Sequence, residues 1–226
     1  MSLTLADVHR ALEKQHGGVG QKGAADPWEL LLWENVADLV SDDRRAQAFR
    51  SLEREIGLAP EKILATDRTR LAGVIADGGM LPDLRADKVL ACARVVTKMG
   101  GVEALRALVT KGDVQAAYDA LQVFPSIGGP GADRLLLLLH RKKKLAPESN
   151  ALRVMSRLGW VEETASYSTT YRNANEALRP QLPDDWKTLV SMHQLLKVHG
   201  QEVCKPKKPR CASCPLAAGC PRRGLE

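Results

Sequence analysis

The sequence predicts an all-α protein of about a dozen short helices that ends in an irregular, cysteine-bearing tail. Three observations carry that expectation. Leucine and alanine dominate while aromatic residues make up only 4%, a balance that favours helix over sheet. Apolar residues recur at helical rather than alternating spacing in almost every segment, and no strand or internal repeat emerges. Pro206, Pro209, Pro215 and Pro221 keep the tail from being helical.

The elements follow in order. Ser2 or Thr4 caps a first helix running to about Gln15. HGGVGQKG, residues 16–23, is a glycine-rich linker; no Gly-Lys-Ser/Thr opens a helix after it, so it is assigned no phosphate. Asp26-Pro27 starts the next helix, with proline at the first helical position, and the pattern continues through WELLLWENVADLV. Ser41-Asp42, Ala59-Pro60 and Thr66-Asp67 are further starts. Gly78-Gly79 ends one helix, and Pro82 or Asp83 begins the next, which reaches about Met99. Its Cys92, mid-helix in KVLACARVV, is expected in the core. Two shorter helices lie near 102–109 and 114–123, and then FPSIGGPGA leads into a helix holding the leucine run 135–139. After Pro147 come helices over about 149–158, from near Ser166 to before Pro180, and over about 184–199.

With 226 residues the chain can form one large domain or two small ones, with a core that needs no disulfide staples. An apolar share of 44% is that of a globular protein. The net charge of +6 permits an acidic partner, of which nucleic acid is the commonest. The first turns carry charge and lack a signal-peptide core, and no stretch approaches the ~18 uncharged apolar residues of a membrane span. The expectation is a soluble, cytoplasmic protein with no membrane partner, in a compartment where clustered cysteines bind metal rather than form disulfides.

Four of the five cysteines cluster in the tail. Cys204, Cys211, Cys214 and Cys220 are separated by six, two and five residues. The Cys-x-x-Cys pair lets two thiolates reach one centre, and the flanking two complete a set of four. A loop this irregular needs something to order it, and a metal centre does so. Zinc and an iron–sulfur cluster both accept four thiolates, so the residues leave both open.

The second signature is PSIGGPGA, residues 125–132. Two helices joined by a glycine turn expose amide N–H groups beside a helix N-terminus, which can hold a phosphate oxygen without reading sequence.

The six–two–five spacing near the C-terminus, preceded by His199-Gly200, resembles endonuclease III, a DNA-repair glycosylase of the helix-hairpin-helix superfamily. PSIGGPGA is similar to that family's hairpin, with Ser126 standing at its first glycine; DPWELLL looks like the start of its barrel. The resemblance spans nearly the whole chain. It implies a six-helix barrel domain over residues 20–141, and an iron–sulfur domain from residues 1–19 and 142–226. A [4Fe-4S] cluster would sit on Cys204, Cys211, Cys214 and Cys220. Double-stranded DNA with a damaged base would lie across the cleft, bound by a nucleoid-associated monomer. Ser126, Ile127, Gly128, Gly129 and Gly131 would contact phosphate, as would Lys205, Lys207, Lys208 and Arg210 on the loop. Lys142, Lys143 and Lys144 would form a further basic strip.

Such glycosylases extrude the damaged base and cleave its bond to the sugar through a cation-like state that a carboxylate stabilises. Bifunctional members add a lysine that forms a Schiff base and permits strand cleavage. Carried onto this chain, the lysine position is Pro130, which has no amine, and the aspartate position is Glu148. Glutamate moves the charge by about 1.5 Å, one C–C bond, and a shift near 1 Å can cost about a hundredfold in rate. The family's apolar wedge falls at Leu81 in GGMLP, a plug for the base stack; its polar wedge falls near Leu39, which is expected in the core instead. The expected activity is base excision by hydrolysis through Glu148, with AP-lyase activity weak or absent. The rivals are a degenerate lesion-binding protein without turnover and a zinc-stabilised DNA-binding module.

Overall fold

The computed structural model describes residues 3–17 and 26–225. Ser2 and most of the glycine-rich stretch HGGVGQKG lie outside them. Among the described residues the chain has twelve α-helices, three 3-10 turns and no strand. In chain order these are α1 (Leu5–His16), α2 (Pro27–Asn35), α3 (Asp42–Glu55), α4 (Pro60–Leu64), α5 (Arg68–Val74) and α6 (Pro82–Lys98). They continue with α7 (Val102–Lys111), α8 (Val114–Leu121), α9 (Gly129–Leu138), α10 (Ser149–Arg157), α11 (Tyr167–Leu178) and α12 (Trp186–Glu202).

Side-chain oxygens start most of them, because the first amides of a helix have no acceptor within it. Thr4 and Asp7 form a reciprocal capping box on α1. Asp26, Ser41, Asp67, Asp113, Glu148, Ser166 and Asp185 each accept from an amide in the first turn of the helix that follows.

Two compact units result. In one, α1 joins everything from Lys142 onward. Helix α12 packs on both α10 and α1, and Leu189, Met192, Leu195 and Leu196 on it are buried, as are Leu152 and Met155 of α10 and Val8 and Leu12 of α1. At Gly200 any Cβ would strike the Asn150 backbone, so α10 and α12 meet main chain to main chain.

The other unit ends at Arg141. Its centre is α2, whose Trp28, Leu30, Leu31 and Leu32 are all buried. A helix apolar on every side needs neighbours all round, and α3, α6 and α7 provide them. Cys92 belongs to this core; burial pushes its thiol up to about 12, which makes it inert.

Two boundaries differ from expectation. Helix α2 stops at Asn35 instead of running to Val40. The apolar pattern continues, but tertiary partners claim the backbone: the Asp38 amide donates to the Gly78 carbonyl at 2.9 Å and the Val36 carbonyl accepts from Arg85 at 2.6 Å. Helix α12 runs to Glu202, past the expected end at His199, because Gly200 packs on Asn150 as part of the helix. Among the described residues no helix is long and apolar enough to cross a membrane.

Asp26 caps α2 through the Trp28 and Glu29 amides and also accepts from Arg106 of α7. Asp26→Ala is expected to lower stability by about 1–2 kcal/mol. Urea unfolding checks this as a lower midpoint at unchanged slope.

Candidate functional site

Helix α10 carries a chain of hydrogen bonds from Glu148 to the cysteine loop. Asn150 Nδ2 donates to Glu148 Oε2 at 2.7 Å, and Asn150 Oδ1 accepts from Arg153 Nη2 at 2.8 Å. Arg153 also donates to the Gly200 carbonyl at 2.7 Å and to the Cys204 carbonyl at 2.9 Å. One turn on, Arg157 donates to the Lys205 carbonyl at 2.7 Å, to the Pro206 carbonyl at 3.2 Å and to Cys204 Sγ at 3.3 Å. The sequence held a signal for this pair, two arginines four apart on one helix face, but the main-chain carbonyls they serve come from 47 or more residues away.

Cys204, Cys211, Cys214 and Cys220 line one concavity together with Arg157 and Arg222. Burial pushes the Cys214 and Cys220 thiols up, and the neighbouring cysteines add to the effect. Thiols held near one another in this way suit a cation that replaces their protons. Among the described residues no three such side chains converge at the spacing of a single metal ion. Behind them His199 is buried, its Nε2 lies 3.5 Å from Cys214 Sγ, and its Nδ1 lies 3.2 Å from His16 Nε2. Burial, with His16 beside it, pushes His199 down to about 4, so the ring is neutral near pH 7.

Glu148 is the N-cap of α10. Its Oε1 accepts from the Ala151 amide at 2.9 Å while Oε2 holds Asn150. The carboxylate is thus oriented at the positive end of the helix dipole, and each oxygen keeps a free lone pair. Pro147 beside it is buried, and its carbonyl accepts from the Tyr167 hydroxyl at 3.3 Å.

In the second unit the hairpin joins α8 to α9. Buried Phe124 and Ile127 pin it, and the Ile127 amide closes the turn on the Phe124 carbonyl at 3.2 Å. Between them Ser126 is exposed at φ 63°, the left-handed region that glycine enters without cost. Gly128 is exposed as the N-cap of α9, and the Gly129 and Gly131 amides lie in its first turn, free of intrahelical acceptors. A side chain on Gly129 would meet the Tyr118 hydroxyl, which would have to move aside. Pro130 occupies the first turn, where a missing N–H costs the helix nothing.

Leu81 is 62% exposed. Leu39 overturns its expected core position: it is 91% exposed. The cause is the early end of α2, which leaves Leu39 on a loop at φ 53° instead of on a buried helix face. Sequence inspection also missed Arg85, a buried arginine beneath both leucines.

The basic residues divide. Lys207, Lys208 and Arg210 are exposed on a loop closed by the Arg210 amide donating to the Val203 carbonyl at 2.9 Å; Lys205 is half-buried. Lys143 pairs with Asp184 and lies over the Trp186 ring, and Lys144 lies 4.9 Å over the Tyr171 ring. Glu148 and the cysteine loop belong to the first unit; the hairpin, Leu39 and Leu81 belong to the second.

No family model matches the chain. Over 196 residues it is 25% identical to endonuclease III of Thermotoga maritima, covering 86% of this chain and 83% of that protein. Over 174 residues it is 27% identical to endonuclease III of Sulfolobus acidocaldarius, covering 76% of this chain and 72% of that one. A solved covalent intermediate of endonuclease III trapped on DNA superposes with a TM-score of 0.72 at 20% identity, over 96% of each chain. The fold is therefore that of the helix-hairpin-helix glycosylases.

Ser126→Gly is expected to stabilise the protein by about 1 kcal/mol, because glycine takes the left-handed turn without strain. Thermal unfolding of the two proteins measures it; an unchanged or lower midpoint contradicts it.

Proposed function

We propose that this endonuclease III-like chain, built on the helix-hairpin-helix glycosylase fold, is a base-excision glycosylase that removes a damaged base from duplex DNA by hydrolysis. The observation that carries the proposal is the Glu148 carboxylate, held in one orientation at the N-terminus of α10 by the Ala151 amide and Asn150. A fixed carboxylate is what a cation-like sugar needs, since preorganised charge costs no reorganisation during reaction. The relatives named endonuclease III and the DNA-bound neighbour support duplex DNA as partner, as does a hairpin whose first-turn amides face no acceptor in their own helix.

In this reaction the bond from C1′ to the base nitrogen breaks with its electron pair on the base, and a water oxygen bonds to C1′. Glu148 stabilises the positive sugar and accepts the proton that the water loses. Pro130 has no amine, so no Schiff base forms at that position and the strand stays intact.

Cys204, Cys211, Cys214 and Cys220 would hold a [4Fe-4S] cluster, which when bound supplies the anchor that orders the loop. The donor set is all thiol, and the four line one concavity, which suits the thiolate ligation of such a group. Arg157 and His199 already face two of the sulfurs, the outer-shell contacts such a group needs. Lys207, Lys208 and Arg210, on the loop so ordered, would meet phosphates.

One observation favours a second reading, lesion binding without turnover: both Glu148 oxygens already serve α10.

A panel of duplexes, each with one lesion, separates the readings. The expected result is breaks that appear only after alkali, and a loss of about a hundredfold in single-turnover rate for Glu148→Gln. Breaks without alkali contradict the loss of lyase chemistry. Lesion-dependent binding with no breaks establishes the second reading. Purified protein is expected to be brown and iron-bearing and to lose its colour in Cys214→Ser; a colourless, zinc-loaded protein restores the zinc module.

A further inference from the structure

Tyr167 opens α11 with 46% of its surface exposed, and among the described residues no other Phe, Tyr or Trp is exposed. A ring left in water forgoes the burial that an interior position would give it, so its surroundings decide whether the exposure is incidental. The main chain that carries it is held fast. Ser166 caps the helix by accepting from the Thr169 amide at 3.3 Å. Thr164 closes the preceding turn, its amide donating to the Thr170 hydroxyl at 2.9 Å and its own hydroxyl donating to the Ser166 carbonyl at 2.9 Å.

The ring is held as well. Its hydroxyl donates to the Pro147 carbonyl at 3.3 Å, and Pro147 is the residue joined to Glu148. One helical turn on, Tyr171 lies alongside, with ring centroids 6.2 Å apart and planes 25° from parallel. Tyr171 is buried, and its ring also meets Lys144. A buried ring thus backs an exposed one, and the hydroxyl tether orients Tyr167 before any ligand arrives, which lowers the entropy lost on binding. Tyr167, Pro147 and Glu148 belong to one unit. The exposed aromatic ring of this chain is therefore the one tethered beside the carboxylate that the proposed hydrolysis uses.

We propose that Tyr167 is a base-binding residue: its ring stacks on the extruded base, while its hydroxyl, on the Pro147 carbonyl, sets where that base stands relative to Glu148. The proposal deepens the glycosylase function above and rests on it. Stacking on an aromatic side chain strengthens the hold on a base by about fivefold to a hundredfold. The contact is made through the π-face, which every planar base has, and not through the edge, where donors and acceptors differ. Tyr167 therefore does not tell one planar base from another. It does separate planar bases from saturated ones, whose tetrahedral carbons lift hydrogens out of the ring plane and keep a flat partner from closing to contact. The substrate class this ring takes is a damaged base that has kept a flat ring.

The test compares the full chain with its Tyr167→Ala and Tyr167→Phe variants. The duplexes carry uracil, hypoxanthine, 8-oxoguanine or 5,6-dihydrouracil, and one carries a tetrahydrofuran abasic-site analogue that offers no base to stack. Single-turnover release at saturating protein reports the rate, and anisotropy reports affinity. On each planar base that wild type releases, Tyr167→Ala should lower the saturated rate by about tenfold or more, by a similar factor for purines and pyrimidines. On 5,6-dihydrouracil the loss should stay below about threefold. Affinity for the abasic duplex, which phosphate contacts dominate, should stay within about twofold of wild type. A merely structural loss would lower all of these together. Tyr167→Phe keeps the ring and should recover most of the rate on planar bases. If wild type binds a lesion without releasing its base, the same factors are read in affinity. The proposal is overturned if Tyr167→Ala handles planar bases as wild type does, or if its affinity for the abasic duplex falls as far. It is overturned too if Tyr167→Phe is as impaired as Tyr167→Ala, which would assign the effect to the hydroxyl alone. A loss on 5,6-dihydrouracil equal to that on planar bases also overturns it, as does a loss that differs more than about tenfold among planar bases. A wild type that neither releases a base nor prefers any lesion to undamaged duplex removes the glycosylase function and this proposal with it, a result distinct from all of these.

Discussion

Everything in the first unit hangs on the two arginines of α10. The last carbonyls of α12 and the first of the cysteine loop have no partners in their own element, and Arg153 and Arg157 supply them. Hydrogen bonds from a charged donor contribute roughly 1.5–3 kcal/mol each, and a cation at a helix C-terminus also meets the negative end of its dipole. The same helix begins at Glu148. One rigid element therefore sets both the carboxylate and the mouth of the thiol concavity, so a displacement at one end is felt at the other.

His199 completes that arrangement from the opposite side. Its ring is buried and neutral, which lets it sit against Cys214 sulfur and His16 without placing an unpaired charge in the interior. The N-terminal helix is thereby tied to the C-terminal loop, which explains why residues from both ends of the chain form one unit.

Strain is concentrated on a few loops. Among the described residues six side-chain-bearing positions have left-handed backbone, and Leu39, Leu81, Ser126 and Lys208 are four of them. Each costs about 1–2 kcal/mol and lies on a leucine loop, the hairpin or the basic loop. Local rules are broken where the fold gains a directed side chain or a directed amide. Pro130 has the opposite character: it fits the first turn of α9 without strain.

Much of this could be read from the residues. The caps announced where most helices begin, because a side-chain oxygen and the amide it serves lie two or three residues apart. The spacing of the four cysteines announced that they would line one concavity for the same local reason, and the identities of Pro130 and Glu148 are what the proposed hydrolytic chemistry rests on. What the sequence could not decide was where distant carbonyls would fall. The end of α2, the exposure of Leu39, the bonds from Arg85 to the Val36 and Ile75 carbonyls and the tether from Arg153 to Cys204 all depend on acceptors brought in from other segments. Covalent neighbours determine short-range capping and spacing; only tertiary packing determines which buried donor meets which far-off acceptor, and that pairing is what turned a leucine predicted for the core out into solvent.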